Sequence, residues 1–88
     1  MADIEIYSGP HCPYCNMAKK WFDEKKISYQ EHRIDQDPKL RDEMLERSGG
    51  KRTIPQIFIN KKSIGGYDDL MKLVHDGEIE KYLDAKEE

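Results

Sequence analysis

His11-Cys12-Pro13-Tyr14-Cys15 holds both cysteines of the chain, spaced C-x-x-C between an alternating apolar run and a long amphipathic segment. At such a junction Cys12 sits at a helix N-terminus, where free N–H groups and the helix dipole favour a negative sulfur and lower its pKa. Cys15 falls one turn later on the same face, within reach of an intramolecular disulfide and less open to solvent. Pro13 suits the first helical turn, because its fixed φ fits and its missing N–H would have no intrahelical partner. One sulfur is placed to attack and the other to resolve.

Upstream, residues 2–7 (Ala-Asp-Ile-Glu-Ile-Tyr) alternate polar and apolar, which predicts a strand with Ile4 and Ile6 on one face. Ser8-Gly9-Pro10-His11 breaks it. Downstream, Tyr14, Ala18, Trp21 and Phe22 keep helical spacing from Pro13 to about Lys25, with Lys19, Lys20, Asp23 and Glu24 facing out. Residues 27–34 resume a strand-like pattern. A strand, helix and strand of these lengths imply a right-handed crossover between parallel strands, which sets Cys12 at the carboxyl edge of the sheet.

Asp37 and Pro38 read as N-cap and first residue of a second helix, whose thin stripe of Leu40, Met44 and Leu45 stops at Ser48-Gly49-Gly50. Residues 55–59 form the most apolar strand. Asn60-Lys61-Lys62-Ser63 reads as a hairpin loop into a short antiparallel strand around Ile64. Asp68 or Asp69 then begins a helix carrying Leu70, Met71, Leu73 and Val74, and Gly77 separates it from a last helix with Ile79, Tyr82 and Leu83. Glu87 and Glu88 are expected to fray. The fold class predicted is α/β, a mixed four-stranded sheet flanked by helices on both faces, in one domain over residues 1–88.

The composition fits a folded chain with a charged surface: 36% hydrophobic and 38% charged residues, the apolar ones in periodic clusters. A net charge of −3 gives no basic field for nucleic acid, and the short Lys19-Lys20, Lys51-Arg52 and Lys61-Lys62 pairs read as solvated surface. With neither an apolar leader nor a long apolar span, the expectation is no membrane insertion, no secretion and a cytoplasmic location. In a reducing compartment a C-x-x-C pair reads as a redox pair. Zinc is disfavoured, since His11, His32 and His75 are scattered and no second ligand pair exists.

Three motifs in order carry a resemblance over nearly the whole chain: Cys12-Pro13-Tyr14-Cys15, Thr53-Ile54-Pro55-Gln56-Ile57-Phe58-Ile59, and Gly65-Gly66-Tyr67-Asp68-Asp69-Leu70. The chain resembles a glutaredoxin of the dithiol class, small bacterial type, within the thioredoxin fold. That resemblance implies a glutathione-dependent thiol–disulfide oxidoreductase with Cys12 and Cys15 catalytic. Its partners would be disulfide-containing or glutathionylated proteins, its state monomeric, and its cofactors none, glutathione being a co-substrate. Pro55 corresponds to the family's cis-proline, which faces the active cysteine and leaves the backbone of Ile54 free for a peptide-like substrate. The turn Gly66-Tyr67-Asp68-Asp69 corresponds to the family's site for the γ-glutamyl end of glutathione, backbone N–H groups meeting its carboxylate and an acidic side chain its ammonium. Tyr14 and Thr53 complete the expected glutathione-binding set. Tyr7 is either near the active edge or an ordinary strand residue, and Trp21 is expected in the core.

The chain also departs from the family. Many members carry a lysine where this one has Gly9, and a third cysteine where it has Tyr67. Lys51 or Arg52, helped by Gln56, is then the candidate for the glycyl carboxylate of glutathione. The rival readings are a glutaredoxin-like thioredoxin reduced by thioredoxin reductase, a glutathione-bridged iron–sulfur carrier, and a redox-sensing adaptor without turnover.

Overall fold

The alternating run becomes β1, Ile4–Ser8, the strand on which both sides of the molecule are built. The computed structural model describes residues 3–84, so Ala2 of the expected strand and the Glu87-Glu88 end lie outside the described residues. After β1 come α1 (Pro13–Glu24), β2 (Gln30–Arg33), α2 (Pro38–Arg47), β3 (Gln56–Ile59), β4 (Lys62–Gly65), α3 (Tyr67–His75) and α4 (Ile79–Asp84). The sheet order is β2-β1-β3-β4. β1 pairs parallel with β2 and antiparallel with β3, and β3 pairs antiparallel with β4. This is the mixed four-stranded sheet that the periodicity predicts.

Strand alternation sends the core two ways. Ile4, Ile6, Ile57 and Ile59 pack with Ala18 and Phe22 of α1, Leu70 of α3 and Ile79 of α4. Tyr7 and Phe58 point to the other side, where Met44 of α2 closes a smaller cluster flanked by Ile34 and Ile54. α2 is further held by Arg47. Its guanidinium donates to both carboxylate oxygens of Glu5 at 3.0 and 2.7 Å, donates to the Tyr7 hydroxyl at 2.6 Å, and lies 4.3 Å from the centre of the Phe58 ring. The Tyr7 hydroxyl in turn donates to the Glu43 carboxylate. Tyr7 is therefore a buried strand residue under α2, not a residue of the active edge.

Several boundaries differ from expectation. The second strand occupies only Gln30–Arg33, because the α1 exit uses the residues before it: Lys26 takes a left-handed φ of 59° and the Ile27 N–H donates to the Phe22 carbonyl at 2.9 Å. The hairpin turn is Asn60-Lys61 alone, with φ of 51° and 68°, so Lys62 and Ser63 already belong to β4. Positive φ at both turn residues matches the right-handed twist of the flanking strands. Lys19 does not simply face out, since its ammonium binds Glu31 at 2.8 Å. Trp21 is half-buried against the larger cluster. Neither Asp68 nor Asp69 caps α3: the N-cap is Gly66, and Asp69 acts from the third helical position.

Candidate active site

Three chain segments converge at one edge of the sheet: the exit of β1 into α1, the entry to β3, and the entry to α3. His11, at φ 53°, turns the chain from the strand into the helix, and Cys12 is the N-cap of α1 with Pro13 in the first turn. The Cys12 Sγ accepts from the Cys15 N–H at 3.1 Å, while the Cys12 carbonyl accepts from the Asn16 N–H at 3.1 Å. The two cysteines are joined as a disulfide, their Cα atoms 5.2 Å apart. Cys12 stands half-exposed, and Cys15 is 1% exposed beneath it. No acidic side chain occupies the first turn of α1, so nothing there opposes a negative sulfur.

Facing the disulfide is the Ile54–Pro55 peptide bond, which is cis, and the Ile54 carbonyl oxygen lies 3.8 Å from the Cys12 Sγ. Gln56, buried at the start of β3, donates its amide to the Thr53 carbonyl at 2.9 Å and to the Thr53 Oγ1 at 3.1 Å. Its amide N–H groups are thus turned onto Thr53 and not toward a ligand carboxylate, which removes the helping role expected of it. An open groove of about 440 Å³ runs from this segment to α3, lined by Tyr14, Lys51, Thr53 to Gln56, and Gly66 to Asp69. That volume lies within the range of small-molecule clefts.

The far wall depends on two glycines. Gly65 has φ 112°, and a Cβ there would collide with the Asp69 carboxylate; a Cβ on Gly66 would stand 3.4 Å from the Pro55 carbonyl. The Asp69 Oδ2 accepts from the Gly66 N–H at 2.9 Å. Asp68 makes no hydrogen bond or ion pair among the described residues and stands exposed on the groove. Tyr14 is 56% exposed, its ring centre 6.1 Å from that of Tyr67.

All eight residues expected to bind glutathione line this one groove, and Lys51 joins them where Arg52 does not. The turn after α2 fixes the backbone at Lys51: Ser48 is buried, its Oγ accepts from the Lys51 N–H at 3.1 Å, and the Gly50 N–H donates to the Leu45 carbonyl at 2.7 Å. Gly9 lies against Ile54, whose Cδ1 would be 2.9 Å from an added Cβ. Beneath the edge, sequence reasoning missed a knot. Ser8 donates to Glu31 at 2.6 Å alongside Lys19, and those two hydrogen bonds, Lys19 first, hold the Glu31 carboxyl below its ordinary range. Only the parallel register Ser8↔Arg33, which brings Glu31 beside the β1 exit, would have shown it. Among the described residues no group of three or more His, Cys, Asp or Glu is arranged to hold a metal ion, and no helix is long and apolar enough to cross a membrane.

A disulfide closed across a helix N-terminus, one sulfur half-exposed and the other buried, is built for exchange with other sulfur pairs. On a sheet of this order it defines a thiol–disulfide oxidoreductase of the thioredoxin fold. A profile of the Glutaredoxin family matches residues 4–64, and the chain belongs to that family. It is 46% identical to Glutaredoxin 3 of Escherichia coli K12 over 83 residues, covering 94% of this chain and 99% of that protein. Among solved structures, the buckwheat glutaredoxin–glutathione complex superposes with a TM-score of 0.83 at 32% identity, covering 94% of this chain and 77% of that one. The solution structure of the Brucella melitensis glutaredoxin gives 0.77 at 43% identity over 92% and 87%. The protein is accordingly a glutathione-dependent thiol–disulfide oxidoreductase with a cysteine pair, and the rival readings are not favoured.

Proposed function

We propose that Cys12 is the attacking sulfur, Cys15 the resolving one, and the groove beside them the seat of glutathione. The observation that carries this is the difference in access: Cys12 half-exposed at the helix end, Cys15 enclosed one turn below with its N–H on the Cys12 sulfur. An unperturbed thiol of pKa about 8.5 is only a few per cent thiolate at neutral pH, so the helix end supplies the activation of Cys12.

On a glutathione mixed disulfide, the Cys12 thiolate takes the glutathionyl sulfur and the substrate leaves as its thiolate. A second glutathione thiolate then attacks the glutathionyl sulfur, forming oxidised glutathione and returning Cys12. On a protein disulfide, the Cys12 thiolate attacks one substrate sulfur and the other leaves as a thiolate; Cys15, losing its proton, then attacks the Cys12 sulfur and displaces the bound substrate sulfur, closing the intramolecular bond. Two glutathiones reopen it.

In the groove, the N–H groups in the first turn of α3, at Tyr67 and Asp68, receive the γ-glutamyl carboxylate and the Asp68 side chain its ammonium, with Asp69 holding the turn through the Gly66 N–H. Thr53, Ile54 and Pro55 offer backbone to the cysteinyl portion, Tyr14 flanks the sulfur, and Lys51 meets the glycyl carboxylate in place of the missing cation at Gly9. The chain works as a cytoplasmic monomer of one domain over residues 1–88, on disulfide-containing or glutathionylated proteins, and needs no prosthetic group.

The test separates the sulfurs. Cys15→Ser should keep turnover of a small glutathione mixed disulfide and lose most activity on protein disulfides, where the resolving thiol's high effective concentration is required. Cys12→Ser should lose both. Activity retained by Cys12→Ser and lost by Cys15→Ser would reverse the assignment.

A further inference from the structure

Tyr14 and Met17 are the exposed large hydrophobic side chains of the described residues, 56% and 43% exposed, and both lie on α1 beside Cys12. With half-buried Trp21 they form a ridge at i, i+3 and i+7, one stripe down the helix. α3 presents a matching stripe, Tyr67, Met71 and Val74, all partly buried against the same cluster. The stripes run alongside each other: the rings of Tyr14 and Tyr67 are neighbours, and Trp21 and Val74 line one cavity seven residues further along both helices. Met17 therefore falls in the middle of an apolar seam that starts at the groove and leads away from it.

We infer that this seam binds the polypeptide of a protein substrate, seating a large apolar side chain that lies about two to four residues from the substrate cysteine. The inference rests on the reading of Cys12 as the attacking sulfur. A substrate chain whose sulfur meets Cys12 passes over Tyr14, which belongs both to the groove and to the seam. From Cys12 to Met17 the helix advances about 7.5 Å, which an extended chain covers in about two residues, and the width of the helix adds one or two more. Glutathione in its groove reaches the seam only at its Tyr14–Tyr67 end and leaves Met17, Trp21, Met71 and Val74 uncovered, so that part of the seam distinguishes a protein substrate from a small one. Methionine at its centre adapts to side chains of different shape. Charged side chains, Lys20 on α1 and Asp68 on α3, are exposed at its margins, the polar rim around an apolar centre that recognition surfaces carry.

The test uses glutathionylated peptides in which a single leucine is walked from four residues before the cysteine to four after it, alongside the glutathione mixed disulfide of 2-mercaptoethanol. The wild-type protein should show a maximum in kcat/KM at one leucine position two to four residues from the cysteine. Met17→Glu should flatten that maximum by about tenfold, the scale of one lost apolar side-chain contact, and leave the small substrate unchanged. Met17→Leu should preserve the maximum. A flat leucine walk in the wild type, or Met17→Glu lowering both substrates equally, would overturn the seam while leaving the groove reading intact. Failure of the wild type to turn over the small mixed disulfide would instead strike the groove reading itself.

Discussion

Asp68 and Asp69 stand side by side in the sequence and face different work. Asp69, at the third helical position, holds the Gly66 N–H, so Asp69→Ala leaves that donor without its partner and should cost about 1 kcal/mol of stability along with affinity. Asp68 has no partner of its own among the described residues. Asp68→Ala should therefore raise KM for a glutathionylated substrate several-fold with little change in urea midpoint, and equal losses of stability in both variants would refute the division. Gly9 makes a second residue-level case. Gly9→Lys should speed Cys12 alkylation at low salt and do so less near 1 M salt, where charges separated by more than about 3 Å are screened. Its Cβ would meet the Ile54 Cδ1, so the single variant should lose stability that the added Ile54→Val change restores. The motifs named in advance the residues that the fold gathers along the groove. That Asp69 and not Asp68 turns back onto the Gly66 N–H is set by the backbone of the turn, and that Ile54 fills the space over Gly9 depends on segments far apart in the chain, which no local pattern encodes.

Among the elements, α2 depends most on a few side chains. It buries only Met44, whereas α1 buries Cys15, Ala18 and Phe22. Amides of α2 should exchange by local opening faster than those of α1, β1 and β3, and protection of α2 equal to that of β3 would contradict this. Arg47 compensates for the thin apolar stripe. Its hydrogen bonds, the leading cause, hold the Glu5 carboxyl below the usual 4.5, with His32 adding to the shift and burial opposing it. A depressed carboxyl gives its full stability above the unfolded value and loses it as pH falls through the folded one, so stability should decline as pH drops below about 4.5. Glu5→Gln should shrink that acid slope and leave the share carried by Glu31, which is also depressed. Tyr7 acts at the other extreme: burial, then its bond to Glu43, pushes it up to about 12 from 10.0, so its share is complete below pH 10 and lost between 10 and 12. Denaturation curves across pH for wild type, Glu5→Gln and Tyr7→Phe read both windows. The sequence showed α2 through its cap and its stripe, but hid the Arg47 clamp, because a basic residue in a last helical turn reads equally well as a dipole partner.

Across the whole molecule, one sheet serves two unequal cores. Ile4, Ile6, Ile57 and Ile59 face one of them and Tyr7 and Phe58 the other, so neither side keeps its packing once β1 and β3 separate. Trp21 fluorescence and far-UV ellipticity should therefore report one coincident urea transition, and two separated midpoints would break the single-domain reading. The overall order of elements was legible because each strand and helix keeps its own period. The short β2 was not, because pairing with β1 sets its limits and its own residues do not. The antiparallel pairing of β1 and β3 also gives the molecule two opposite poles. Ile4 pairs with Ile59, so the Asn60-Lys61 turn lies at the start of β1 while the disulfide lies past its end, about 14 Å along the strand. A flexible tether spliced into that turn would anchor the protein to a bead or an electrode with its sulfurs facing the bulk liquid.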